Sequence, residues 1–159
     1  MDIIKILKAT TGAIFAAMIF FVLLPYLFIR AGSSMGLETS PNLAGALMGG
    51  LFILAGLCIF FYCFYLFVKE GKGTPAPFEP ARCLVSGNLY QYSRNPMYIG
   101  YLSIIIGEVF LIGSLPLLVY AIIIAIFIYL YVIYYEEPRL EEKFGEAYID
   151  YKRRVPRWV

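Results

Sequence analysis

Four apolar blocks, separated by polar segments rich in glycine and proline, set the pattern of this chain: roughly Ala9–Ile29, Leu43–Val68, Met97–Ile112 and Leu115–Tyr135. A helix needs about 20 apolar residues to cross a bilayer. The first, second and fourth blocks reach that length; the third is short and has to tilt little or lie in a thin region. The first is also longer than the ~7–15 apolar residues of a signal-peptide core, so it is expected to be a retained helix. The pattern predicts an all-α integral membrane bundle of four transmembrane helices forming a single domain over residues 1–159.

The polar segments carry their own signals. Lys and Arg favour the cytoplasmic side of a membrane. Lys5 and Lys8 precede the first block, Lys69, Lys72, Arg82 and Arg94 lie between the second and third, and Arg139, Lys143, Lys152, Arg153, Arg154 and Arg157 follow the fourth. The other two connections hold Arg30 alone and no charge at all. This asymmetry predicts a multi-pass protein with both termini and the 69–96 loop in the cytoplasm.

Gly45-Ala-Leu-Met-Gly49 is a small-xxx-small pattern that suits close helix packing within the bundle. Gly113-Ser114-Leu115-Pro116 is too short for anything but an antiparallel helical hairpin. The Gly71–Pro80 arm, rich in proline and glycine, favours an extended path. Glu137 precedes Pro138, where the fourth helix is expected to break. Beyond it, Leu140, Phe144, Tyr148 and Tyr151 share one helical face, which predicts an amphipathic cytoplasmic helix over 138–154. Trp158 beside Arg157 suits the headgroup level.

Composition agrees with a lipid environment. The chain is 61% hydrophobic and 15% charged, against about 25% charged in a soluble domain. A net charge of +2 makes no case for nucleic acid. Cys58, Cys63 and Cys83 have no metal or disulfide spacing, and Cys58 and Cys63 point to different faces of one helix as packing residues. Histidine is absent, which removes the commonest general base and transition-metal ligand, so no metal is expected.

Chemistry concentrates in Leu84–Gly100, a polar stretch wedged between apolar blocks, and in the Glu136–Glu137 pair. Each has a purely structural reading. Asn95 and Pro96 fit the cap and first turn of the third helix, the glutamates fit a helix N-terminus, and Arg94 fits a lipid phosphate.

Together, however, Leu84, Val85, Gly87, Tyr90, Tyr92, Arg94, Pro96, Tyr98 and Gly100, then Glu136 and Glu137, then Phe144, Gly145, Tyr148, Tyr151, Val155, Pro156 and Arg157 make an ordered set. It resembles the isoprenylcysteine carboxyl methyltransferase and phospholipid methyltransferase superfamily, integral-membrane enzymes that use S-adenosylmethionine. Gly73–Pro77 also looks like bacterial members, and the resemblance runs from about Gly71 to Trp158.

The resemblance implies that Arg94, Asn95 and Tyr98 stand at the reacting centre. It implies that Leu84, Val85, Gly87, Tyr90, Arg94, Asn95, Pro96, Tyr98, Gly100, Glu136 and Glu137 surround the cofactor. In that arrangement Glu136 or Glu137 holds the ammonium or ribose hydroxyls, and Arg94 pairs with a carboxylate of cofactor or substrate. Tyr90 and Tyr98 offer π-faces to the cation. The Leu84–Gly87 backbone meets the adenine, and Gly100 allows close approach.

The chain departs from the family where Asn95 replaces a frequent His, Asn88 a Pro and Gln91 an Arg. Asn95 cannot shuttle a proton near neutral pH. The turn at Asn88 is expected to survive without its proline because Gly87 remains. A carboxylate acceptor is therefore preferred, since it is ionised at neutral pH and needs no base. The acceptor is expected to be lipid-like or apolar and to arrive from the membrane.

Glu108, about twelve residues beyond Pro96 at ~1.5 Å per residue, is expected to lie too far along the helix to touch the cofactor; Arg30 or a tunnel is its natural surrounding. Two other readings remain: an NADPH-dependent membrane reductase of the steroid-reductase type, and a small four-helix transporter. A soluble-type methyltransferase fold is excluded by the lack of alternating strands and glycine-rich turns.

Overall fold

The computed structural model describes residues 11, 12, 15, 17–73 and 81–159. Parts of the first apolar block, most of the Gly71–Pro80 arm and of its Gly73–Pro77 motif lie outside the described residues. Those described fold as helices without a strand. A π-helical turn at Ile19–Leu23 leads into α1 (Leu24–Ser34). There follow α2 (Leu43–Lys69), a 3-10 turn at Asn88–Gln91, α3 (Pro96–Ile112) and α4 (Leu115–Tyr131). A second π-helical turn at Val132–Glu136 joins α4 to α5 (Glu137–Phe144), and α6 (Glu146–Arg154) closes the order.

Among the described residues, two helices are long and apolar enough to cross a membrane: α2, of 27 residues, and the continuous helix Leu115–Phe144, of 30 residues. Most of both surfaces faces outward, with Leu47, Leu51, Leu54, Phe61, Ile122, Ile126 and Phe127 among the exposed side chains. The helical stretches Ile19–Ser34 and Pro96–Ile112 are apolar but shorter.

Glycine decides how α2 and α3 meet. A Cβ built on Gly56 would lie 2.6 Å from the Gly100 carbonyl oxygen, and one on Gly49 would lie 2.6 Å from that of Gly107. Only backbone fits at either crossing, as small-residue seams allow. Gly45 and Gly49 thus face α3 within the same chain, as expected for bundle packing. Gly107→Ala is expected to cost about 1–3 kcal/mol by overpacking, because its Cβ would lie 2.6 Å from Ile53 Cγ1. Gly50→Ala is the control: its Cβ meets nothing within 4 Å. Thermal unfolding in detergent of the two variants separates packing from helix propensity, and equal midpoints would refute the seam.

Asn42 caps α2, its Oδ1 accepting the Gly45 N–H at 2.8 Å. Gly113, at φ 65°, ends α3 in the left-handed region and makes the short turn into α4. Ser40 N–H donates to the Gly113 carbonyl at 3.0 Å, tying the α1–α2 connection to this turn.

Two expectations about the last helices are corrected. The fourth helix does not break at Pro138. The π-helical turn, in which Glu137 N–H donates to the Val132 carbonyl, absorbs the missing N–H and the ring, and the helix runs on to Phe144. The break comes instead at Gly145 (φ 54°, ψ −134°), a conformation open to glycine, so the 138–154 stretch is two short helices. Their apolar face is the expected one. Leu140, Phe144, Tyr148 and Tyr151 pack with Cys63, Leu66, Val85, Tyr90 and Val155 in a core at one end of the bundle. Cys63 is buried there and Cys58 is exposed, on different faces as their spacing predicts; only Cys63 is the packing residue expected of both.

A second core, built on Ile105, Leu117, Tyr120, Ile124, Ile128 and Val132, joins α3 to α4 and reaches Phe20, Phe28 and Trp158. At the first π-helical turn the Phe20 carbonyl accepts from Tyr120 Oη at 2.6 Å.

Candidate functional site

The candidate residues gather where the 84–95 segment, the start of α3, the α4–α5 junction and the C-terminal residues meet. The segment is fixed first at its root. The Gly71 carbonyl accepts from Arg82 N–H at 2.7 Å and Cys83 N–H at 3.1 Å, which joins the end of α2 to the start of this segment. Val85 and Tyr90 then enter the core. The Tyr90 ring meets Phe67 edge-on, and its carbonyl accepts from Tyr151 Oη at 2.6 Å. Burial pushes the Tyr148 and Tyr151 hydroxyls above their usual range, so both are neutral at pH 7.

The turn itself differs from expectation. Asn88, not Gly87, takes the left-handed conformation, with φ 56° against −98° for Gly87. Proline cannot adopt that φ, so the family's proline does not belong at position 88 of this turn, and Gly87 is not what preserves it. Asparagine tolerates the region. Its side chain is also held, Nδ2 donating to Glu70 Oε1 at 2.9 Å and Oδ1 accepting from Tyr62 Oη at 3.2 Å.

Asn95 stands at the N-cap of α3 with Pro96 at the start of the helix, as expected, but its side chain makes no cap bond. Nδ2 donates instead to the Arg157 carbonyl at 3.1 Å, the same oxygen that Ser93 Oγ reaches at 3.2 Å. Arg94 N–H donates to the Pro156 carbonyl at 2.9 Å. The extended segment that holds Pro156 and Arg157 thus straps the Ser93–Asn95 turn.

Consecutive glutamates point to different partners. Glu137, 4% exposed, is saturated by cations of this chain. Arg157 forks onto it, Nε to Oε1 at 2.6 Å and Nη2 to Oε2 at 3.1 Å. Arg94 Nη1 lies 2.9 Å from Oε1, and Lys152 Nζ lies 3.4 Å from Oε2 and 2.6 Å from Glu141. Glu136 has no cation among its described neighbours and accepts one bond, from Tyr98 Oη at 2.8 Å. The Arg94 side chain is 7% exposed. Its Nε and Nη1 are buried without a hydrogen-bond acceptor, Nη1 being close to Glu137 but out of line.

An arginine whose buried Nε has no acceptor and a carboxylate that meets no cation among the described residues fit the carboxylate and ammonium of an amino-acid group, the end that S-adenosylmethionine carries. Gly100, by contrast, faces Gly56 in the helix seam, and Leu84 packs against the site-end core. Glu108 sits four residues from the far end of α3 with Oε2 buried and unpartnered. Arg30 bonds Tyr26 Oη at 3.0 Å instead of meeting it. No group of His, Cys, Asp and Glu among the described residues could hold a metal. Ser93, Lys152 and the side chain of Arg157 were not singled out by sequence as site residues; only the match of Arg157 to the family's terminal motif marked any of them.

The phospholipid methyltransferase family model matches residues 44–147 of this chain. A similar protein is Protein-S-isoprenylcysteine O-methyltransferase B of Arabidopsis thaliana, 35% identical over 77 residues, which are 48% of this chain and 39% of that protein. The chain thus spans well under half the length of this curated relative. No solved structure matches. The family match covers well over half of the residues and includes both the 84–100 segment and the glutamate pair; with two membrane-length helices beside them, the chain belongs to the phospholipid methyltransferase family of membrane proteins.

Proposed function

We propose that this protein is an S-adenosylmethionine-dependent methyltransferase acting on a lipid-like, isoprenylated or otherwise apolar acceptor, with carboxylate O-methylation preferred. The observation that carries the reading is the buried Arg94 Nε without an acceptor, on an arginine that meets Glu137, next in sequence to a Glu136 carboxylate that meets no cation among the described residues. Arg94 takes the cofactor's carboxylate and Glu136 its ammonium, with Tyr98 fixing the orientation of Glu136 through their 2.8 Å bond. The cofactor supplies an already activated methyl, so the protein's task is positioning and exclusion of water.

Nothing in the cluster moves a proton at neutral pH through histidine. Asn95 is occupied with the Arg157 carbonyl and acts by holding the turn. An acceptor that is already anionic suits such a site. Four spans, with both termini and the Leu84–Gly100 site on the cytoplasmic face, complete the proposal; the basic residues beside the site and after α5 support it. The acceptor enters from the lipid side.

Calorimetric titration of detergent-purified protein with S-adenosylhomocysteine, and with NADPH in parallel, tests this. Saturable S-adenosylhomocysteine binding is expected, and Arg94→Ala should weaken it by about 1.5–3 kcal/mol, the value of a hydrogen bond to a charged group. Binding of NADPH alone would replace the reading with a reductase, and binding of neither would leave the cluster structural.

A further inference from the structure

The C-terminal Arg157 acts on the Arg94 turn twice. Its carbonyl is the common acceptor of Ser93 Oγ and Asn95 Nδ2, which flank Arg94. Its guanidinium occupies both oxygens of Glu137 in a fork at 2.6 and 3.1 Å. Glu137 is also the carboxylate beside Arg94, only 2.9 Å from Nη1. A buried arginine next to a carboxylate with open lone pairs would rotate to fork onto it, since the bidentate pair is the favoured geometry. In this structure Arg94 reaches Oε1 through Nη1 alone, without a fork, and its Nε remains without an acceptor.

We infer that Arg157 is a positioning residue: by taking both oxygens of Glu137 it holds Arg94 to a single contact there and leaves the Nε edge of its guanidinium for the carboxylate of the cofactor's amino-acid group. The inference rests on the methyltransferase reading and adds to it a residue outside the reacting centre. Lys152 is no substitute. It shares its ammonium with Glu141 and reaches only the outer oxygen of Glu137, at 3.4 Å.

The test compares two ligands that differ at the amino-acid end, S-adenosylhomocysteine and 5′-methylthioadenosine, which keeps the adenosine and sulfur but has no carboxylate. In Arg157→Gln, Arg94 is expected to turn onto Glu137. The preference for S-adenosylhomocysteine over methylthioadenosine should then fall by about tenfold or more, with methylthioadenosine affinity kept within about twofold. A merely structural role would lower both affinities together, and that result, or an unchanged preference, overturns the inference.

Arg157→Lys serves where the glutamine variant does not fold: it leaves a charge on Glu137 without the fork and should lose part of the preference, and full retention overturns the proposal. In an Arg94→Ala background, Arg157→Gln should cause no further loss of preference, because the group it works through is gone. An additional loss there overturns it as well. Wild-type protein that binds neither ligand would sink the methyltransferase reading and this inference with it, whereas wild-type binding with unselective loss sinks the inference alone.

Discussion

Glu137→Gln is expected to lower stability by about 3–5 kcal/mol, the cost of breaking a buried ion pair from one side. The residue is 4% exposed and receives three cations, of which Arg94 is almost fully buried. Glutamine keeps the shape and two oxygen lone pairs but removes the charge, leaving Arg94 and Arg157 facing each other around a neutral amide. Their repulsion is screened little at such depth. The damage spreads because Arg157 also straps the Ser93–Asn95 turn. For a chain of this size a loss of this magnitude corresponds to a fall in the unfolding midpoint of about 6–20 °C. Thermal unfolding in one detergent, followed by circular dichroism, measures it. A midpoint within a degree or two of wild type would show that the cations do not depend on Glu137.

How much of this was legible in the sequence follows from the range of each interaction. The bounds of α2 and the starts of α3 and α4 were readable because they rest on apolar runs and on Asn-Pro and Gly-Ser signals within a few residues. So was the face shared by Leu140, Phe144, Tyr148 and Tyr151, since helical spacing survives the kink at Gly145. The π-helical turn before Pro138 was not: proline signals a break, and only the Glu137-to-Val132 hydrogen bond shows the helix accommodating it.

In the site, residue identity was legible and partnership was not. Glu136 and Glu137 are adjacent and chemically identical, yet one meets Tyr98 and the other meets Arg94, Arg157 and Lys152. That division depends on residues up to 43 positions away in sequence, as the Arg94–Glu137 pair is, and no local pattern encodes it. Asn95 shows the same limit. Its cap position was readable, but its partner is a carbonyl 62 residues on. The widened turn at Val132–Glu136 lies immediately before this division, where an extra residue in the helical turn changes which way the next side chains face.

The division leads to an opposite expectation for the neighbouring residue: Glu136→Gln should leave the protein as stable as wild type, or more so, while removing cofactor binding. Glu136 lacks a cation among the described residues and accepts only the Tyr98 hydroxyl, so its charge is carried without compensation. Neutralising it relieves that desolvation cost, and the amide oxygen of glutamine still accepts from Tyr98. Binding responds differently. A bound ammonium loses its counter-charge, and truncating one side of a buried charge pair costs about 2–5 kcal/mol, which is roughly 30-fold to several-thousand-fold in affinity.

Two measurements on one sample decide it, the unfolding midpoint without ligand and S-adenosylhomocysteine affinity by calorimetry. A structural glutamate would give the reverse result, with a lower midpoint and intact affinity. Stability that holds or rises while binding disappears is the pattern of a residue kept for its ligand at some cost to the fold. Within a single dipeptide, Glu137 would then serve the architecture and Glu136 the chemistry. Consecutive side chains of a helix point about 100° apart, and that is enough for two neighbouring carboxylates to face such different partners.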